Sequence, residues 1–284
     1  MFHWSSIGDL IPPDPSLRSL QRAWDDAICG KRMKQLIDLS SGADTARLLA
    51  CGASASGAWM HALPSANLGL RLSNQDIRIS VGLRLGAQIV TEHTCKCGVP
   101  VQPNGHHGLS CKRSAGRQSR HHAVNDILAR TLRSVGVQAI LKPQGLLRED
   151  GKRPDGATLI PWSGGRSMLW DFTCPDTLAP SHLSKTTVLA GAAASEAEDR
   201  NRIKYSNFFH THQFIPVAVE TLGVWGPGAM ELIMALGRRL IESTRDTRST
   251  FFLRQRIDMA VQRGNAISVL GTFPNAVSGG ENAD

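Results

Sequence analysis

From residue 119 onward the hydrophobic pattern changes period in a fixed order, and that order limits the architectures open to the chain. "SRHHAVNDILARTLRSVG" carries an apolar stripe at helical spacing, Val124, Ile127, Leu128, Leu132 and Val135, with Ser119 placed to cap it and Gly136 to end it. "VQAILKP" reads as a short strand, and two further strand candidates surround Asp155 and Asp171. Residues 185–210 are Ala-rich, then charged, and read as helix. "QFIPVAVETLG" is an apolar strand whose Pro216 suits an edge or a bulge. "GPGAMELIMALGRRLIES" and "STFFLRQRIDMAVQRGN" are amphipathic helices. This succession predicts an α/β fold, a mixed sheet flanked by helices.

The first ninety residues read differently. Residues 1–13 are irregular and end on Pro-Pro, and the apolar positions Leu17, Leu20, Trp24 and Ile28 then predict one or two helices. "ADTARLLACGA" predicts a short helix, and "LSNQDIRISVGLRLG" another, capped by Ser73 or Asn74 and ended near Gly86. The expected organisation is a helical region over 1–90, a Cys/His-rich knuckle over 91–118, the α/β segment over 119–273 and a disordered tail over 274–284.

Three of the six cysteines, Cys95, Cys97 and Cys111, lie within seventeen residues, in "CKCGVPVQPNGHHGLSC". With no secretory leader in "MFHWSSIGDLIPPDPSL", metal binding is expected rather than disulfides, and an intracellular, nuclear location with it. Zinc takes four thiolate or imidazole ligands in a tetrahedron, and Cys95, Cys97, His107 and Cys111 supply such a set. His106 is the neighbouring alternative to His107, and His93 or His121 can substitute. Gly98 and Gly105 give the backbone the freedom such turns need. Three cysteines leave no open position for water, so the expected zinc is structural. The alternative is three reduced cysteines in a loop.

The net charge is +8, and residues 112–153 hold ten Lys or Arg against three acids. A basic stripe of this kind suits a polyanion, DNA or RNA, and equally a solvated face with no partner. No apolar run approaches the length of a membrane span. Trp162, Trp170 and Trp225 are scattered and read as packing residues rather than a base-stacking platform.

Between the stripe and the C-terminal helices stands "KRPDGATLIPWSGGRSMLWDFTCPD", where fifteen residues separate Asp155 from Asp171. Carboxylates on neighbouring strands can hold a divalent cation for phosphodiester hydrolysis, with a nearby Lys to stabilise the developing anion. An acid inside the apolar run "SMLWDFTC" is costly unless paired or metal-bound. The same residues also fit an Asp-Gly turn at Asp155 and a strand acid paired with an Arg at Asp171.

"RPDG…LWDFT" resembles the PD-(D/E)XK motif of restriction-like nucleases. The Cys/Cys/His/Cys knuckle, "RHHAVNDIL", "GKRPDG", "DFTCPDTLAPSH" and "RNRIKY", in that order, resemble the C-terminal region of non-LTR retrotransposon polyproteins that carry a restriction-like endonuclease. "AWMHALPSANLGLRLSNQDIRISVGLRLGA" resembles the segment that joins reverse transcriptase to knuckle in such elements, so the likeness spans roughly residues 55–273. It implies a restriction-endonuclease-like sheet over 119–273, with Asp155 and Asp171 as ligands of Mg²⁺ or Mn²⁺ and Lys204 as the lysine displaced onto the following helix. It also implies that Arg120 and His121 lie near the DNA or the zinc, while the basic stripe itself marks Lys112, Arg113, Arg117, Lys152 and Arg153 as expected nucleic-acid contacts.

Two departures bear on catalysis. Thr173 stands where the simple motif has Lys, and Lys142 precedes "PQGL" where relatives often carry an acid. Asp126 is the candidate to replace that acid, or else a helix-surface charge. The expected activity is metal-dependent DNA cleavage, acting beside a reverse transcriptase region in an intact element. The alternatives are a nucleic-acid binder that no longer cuts and a purely structural or interaction protein.

Overall fold

The computed structural model describes residues 20–148 and 151–274. The irregular start expected over 1–13 and, beyond Pro274, the expected tail lie outside the described residues. Three helices come first, α1 (Leu20–Leu39), α2 (Ala43–Gly52) and α3 (Asn74–Leu85). A two-stranded ribbon, β1 (His93–Thr94) and β2 (Pro100–Val101), and the short α4 (His106–Ser110) follow. The remainder is α5 (Ala115–Ser134), β3 (Ala139–Leu141), β4 (Gly156–Thr158), β5 (Met168–Thr173), α6 (Pro180–Thr186), α7 (Ala192–Lys204), β6 (Gln213–Ala218), α8 (Pro227–Thr244) and α9 (Ser249–Leu270). None of the described helices is long and apolar enough to cross a membrane.

Local chemistry explains the boundaries. At α3 the Ser73 hydroxyl accepts from the Asp76 N–H at 3.1 Å and the Asp76 carboxylate accepts from the Ser73 N–H at 3.0 Å, a reciprocal cap. Gly86, at φ 68°, ends the same helix. Helix α5 begins at Ala115 with Ser114 at its N-cap position, about a turn earlier than the sequence pattern suggests. Gly116 permits that extra turn, since a Cβ there would strike Ser268 and the Gly264 carbonyl of α9.

The larger sheet is mixed, in the order β3-β4-β5-β6. β4 is antiparallel to β3 and to β5, whereas β6 runs parallel to β5. Pro216 pairs with Asp171 on the edge strand β6, where a missing N–H costs nothing. Alternation along β5 sorts its side chains to two faces. Met168, Trp170 and Phe172 join a core with Val124 and Leu128 of α5, Leu232 of α8 and Ile257 of α9. Leu169 packs on the other face with Tyr205 and Phe214, and Asp171 points to the same side as Leu169. The indole N–H of Trp170 donates to Asn125 Oδ1 at 2.9 Å, which satisfies its buried nitrogen.

Helix α9 is the spine on which the other segments meet. Ala266 and Val269 share a core with Ala46 and Ala50 of α2, Ile79 and Leu83 of α3, and Leu109 of α4. The helical region and the knuckle segment therefore rest on the C-terminal helix of the α/β segment.

Candidate functional site

Asp155 immediately precedes β4, one step beyond the Gly156–Trp170 pair, and its backbone N–H donates to the Trp170 carbonyl at 2.9 Å. Gly156 is obligatory, because a Cβ there would run into the Trp170 ring. The Asp155 carboxylate is thereby delivered beside Asp171 of β5. Its Oδ2 accepts from the Phe172 N–H at 2.7 Å and lies 2.9 Å from His121 Nε2 of α5.

Asp171 is buried, and its Oδ1 accepts from the Tyr205 hydroxyl at 2.7 Å with Lys204 Nζ at 3.7 Å. Burial, and next the charge of Asp155, push the Asp171 carboxyl up to about 6, against the opposing pull of Lys204, Tyr205 and His121. The hydrogen bond to Asp155 raises the His121 imidazole, with burial opposing. Burial, then the Asp171 charge, push the Tyr205 phenol upward, so it stays a donor. Asp155 Oδ1 and Asp171 Oδ2 have no hydrogen-bond partner among the described residues. Two neighbouring carboxylates that repel each other, each with an uncommitted oxygen, fit a hard divalent cation.

Lys204 reaches this point because α7 is fixed firmly. The Glu198 carboxylate, buried in mid-helix, accepts from the N–H groups of Gly228 at 2.7 Å, Ala229 at 2.9 Å and Ala218 at 3.2 Å. Glu220 Oε1 accepts from Ala193 and Ala194 at the start of α7. Thr173, at the motif's usual lysine position, instead accepts from Asn201 of α7 at 3.0 Å. Tyr205 is not among the site residues that the sequence singles out; its place directly after Lys204 was the available signal. Asn201, Glu198 and Glu220 carried no sequence signal.

Lys142 stands near the pair, its N–H donating to the Asp155 carbonyl at 2.7 Å and its charge opposing protonation of His121. Asp126 does not replace the expected acid. It projects from another face of α5 and pairs with Arg130 one turn on.

The second cluster is the knuckle. The ligand atoms of Cys95, Cys97, His107 and Cys111 all lie within 4.8 Å of one another, so this cluster can bind a metal such as zinc. Cys95 Sγ and Cys111 Sγ are 3.7 Å apart, close to the ~3.8 Å edge of a tetrahedron with Zn–S near 2.3 Å. Cys97 Sγ lies 3.2 Å from His107 Nε2. Gly98 at φ 88° and Gly105 at φ 68° make the two turns that bring these pairs together. The geometry selects His107. His106 is in the electrostatic range of Asp44 and Arg47, His93 bonds Thr272 at 2.9 Å, and His121 is engaged with Asp155.

A cleft of about 420 Å³ is lined by Lys112, Arg117, Gln118, Arg120, His121 and Phe172; Lys112 follows the zinc-cluster residue Cys111 in the chain and His121 contacts Asp155. Lys112 and Arg117 are exposed there, whereas Arg113 is laid over the knuckle, donating to the Lys96 carbonyl at 2.8 Å. Lys152 is exposed; Arg153 is half-buried, donates to Gln144 at 3.1 Å and offers its carbonyl to Tyr205 at 2.8 Å. Arg120 departs from the sequence expectation. It borders the same cleft but is only 1% exposed: it donates to Asn265 Oδ1 at 2.6 Å and packs its stem against Gly264, so its main contacts brace α5 on α9.

The chain matches no protein-family model and no curated protein sequence.

Proposed function

We propose that this chain is a nucleic-acid-binding protein with a restriction-like, metal-dependent DNA endonuclease centre and a structural zinc knuckle, derived from a non-LTR retrotransposon polyprotein. The observation that carries the reading is the convergence of Asp155, Asp171 and Lys204 from three separate elements, with Lys204 Nζ 3.7 Å from Asp171. The order helix, three antiparallel strands, two helices, parallel strand supports it.

Asp155 and Asp171 would hold Mg²⁺ or Mn²⁺, which supplies an activated water and charge neutralisation at the phosphate. Lys204 is placed to stabilise the negative charge that develops during cleavage. Tyr205 orients Asp171, and His121 orients Asp155 through the 2.9 Å contact. Lys112 and Arg117 would grip backbone phosphates along the cleft, so affinity for DNA falls steeply with salt.

Lys142 and Thr173 favour a second reading, a binder that no longer cuts. A cation stands where an acid is expected, and Thr173 is tied to Asn201. Labelled duplex DNA incubated with Mg²⁺ or Mn²⁺ separates the two. Cleavage lost in Asp155→Ala and Lys204→Ala supports the endonuclease; salt-sensitive binding with no cleavage under either metal leaves the binder.

A further inference from the structure

The surface on the far side of α5 carries a second groove, of about 1120 Å³. Arg130, from α5, lies nine residues after His121, about two and a half turns, and so points away from the carboxylate pair. The facing wall is α9, which contributes Phe251, Phe252, Arg256 and Arg263, with Arg248 just ahead of it. The third wall is the 65–70 loop, which Arg263 fixes by donating to the Gly69 carbonyl at 3.0 Å and the Arg71 carbonyl at 3.1 Å. Beneath that loop Leu70 and Leu72 pack on Trp59 and Met259, so the groove is built before any ligand arrives.

Its chemistry is specific. Four arginines line it against one acid, Asp126, which pairs with Arg130, while Asp246 at its edge pairs with Arg248 at 3.0 Å; two acids for four arginines leave the groove basic. Phe251 and Phe252 stay 40% and 37% exposed, although aromatic rings of this size are normally covered. The volume stands at the upper end of the roughly 300–1,000 Å³ of small-molecule sites, enough room for a short stretch of polymer. An adjoining cleft shares His61 and Phe251 with the groove and continues the basic lining with Arg22, Arg84 and Arg254.

We propose that this groove binds a single strand of nucleic acid, its phosphates on Arg130, Arg248 and Arg256 and its bases against Phe251 and Phe252. Planar guanidinium groups beside exposed rings are the combination that tracks an unpaired strand, because every base offers a stacking face and every phosphate a charge. Duplex DNA keeps its bases stacked on each other and cannot use the two phenylalanines. Burial, and then the neighbouring charge of Arg130, disfavour the charged form of Arg256, and a phosphate between them relieves that repulsion. The groove is distinct from the cleft assigned to duplex DNA, so this inference does not rest on the endonuclease reading.

Fluorescence anisotropy with labelled twelve-residue oligo(dT) and oligo(U), and a duplex of equal length, tests the proposal on the full chain. The double substitution Phe251→Ala/Phe252→Ala is expected to weaken binding to at least one single strand between about fivefold and a hundredfold, leaving duplex affinity unchanged. Arg130→Gln/Arg248→Gln changes two exposed side chains, guards against misfolding in the first variant, and is expected to lower the salt slope by about 0.7 for each lost phosphate contact. Failure of both oligonucleotides to bind, or equal binding by both variants and wild type, overturns it. So does a concentration-dependent dimer broken by the phenylalanine substitutions, which assigns the groove to a second copy of the chain.

Discussion

The Tyr205 hydroxyl donates to Asp171 Oδ1 at 2.7 Å, and Lys204, the preceding residue, approaches the same oxygen at 3.7 Å. Two consecutive residues at the end of α7 therefore act on one buried carboxylate. The tyrosine bond favours the ionised form of Asp171 and its loss disfavours it. In Tyr205→Phe the pH at which Mn²⁺ binding is half-maximal is expected to rise by about half a unit to one unit, the value of one hydrogen bond. Mn²⁺ titrations followed by electron paramagnetic resonance from pH 5 to 8 measure that shift.

Asp171 also ties stability to pH. Its carboxyl sits at about 6 in the folded chain against an ordinary 3.8, so the folded state holds the proton more tightly. The stability this contributes is fully present below 3.8 and is lost as pH rises through about 6. Without divalent cation, Asp171→Asn is expected to be more stable than wild type at pH 8 by up to roughly 3 kcal/mol, with the advantage vanishing near pH 4. Urea denaturation at the two pH values reads both arms, and equal stability at pH 8 would contradict the assignment.

Arg117 and Arg120 lie three residues apart and should behave oppositely. Arg117 lines the cleft, so Arg117→Ala is expected to weaken DNA binding and lower the salt slope by about 0.9, with little change in melting temperature. Arg120 is buried on Asn265, so Arg120→Ala is expected to cost about 2–4 kcal/mol of stability and leave the salt slope unchanged. Binding titrations across a salt series, paired with thermal melts, separate the two roles.

The knuckle is expected to carry one zinc per chain, measurable by atomic emission after gel filtration. Cys111→Ala removes a buried ligand and should abolish the zinc and loosen α4 from α9. His106→Ala should retain the full equivalent, because His107 is the histidine whose ring nitrogen reaches the cysteines.

How much of this was legible in the sequence depends on the range of the interactions. The α3 cap, the edge position of Pro216 and most of the element order from α5 to α9 follow from spacing within a few residues, and the sequence carries them; the short α6, only seven residues long, is the element that its pattern did not announce. The knuckle was legible for the same reason, its ligands lying within seventeen residues. The bracing role of Arg120 was hidden because a charge in a basic stretch looks solvent-facing until α9, some 145 residues on, supplies Asn265. Asp126 stayed open between spare ligand and helix-surface charge because spacing alone did not show that α5 turns His121 toward the sheet, and its pair with Arg130 gives it the second role. Glu198 and the arginine–phenylalanine groove join segments distant in the chain, and no local pattern announces such meetings.

The most direct test of the carboxylate pair is nicking of supercoiled plasmid by wild type and by Asp171→Asn, with Mg²⁺ or Mn²⁺ and without added metal. Asp171→Asn suits the purpose because it is expected to fold at least as stably as wild type at pH 8, so lost activity cannot be blamed on unfolding. The expected result is nicking by wild type that requires the divalent cation and disappears in the variant. Metal-dependent nicking that survives in Asp171→Asn, or DNA binding by wild type with no nicking under either metal, would contradict a nuclease centre at Asp155 and Asp171.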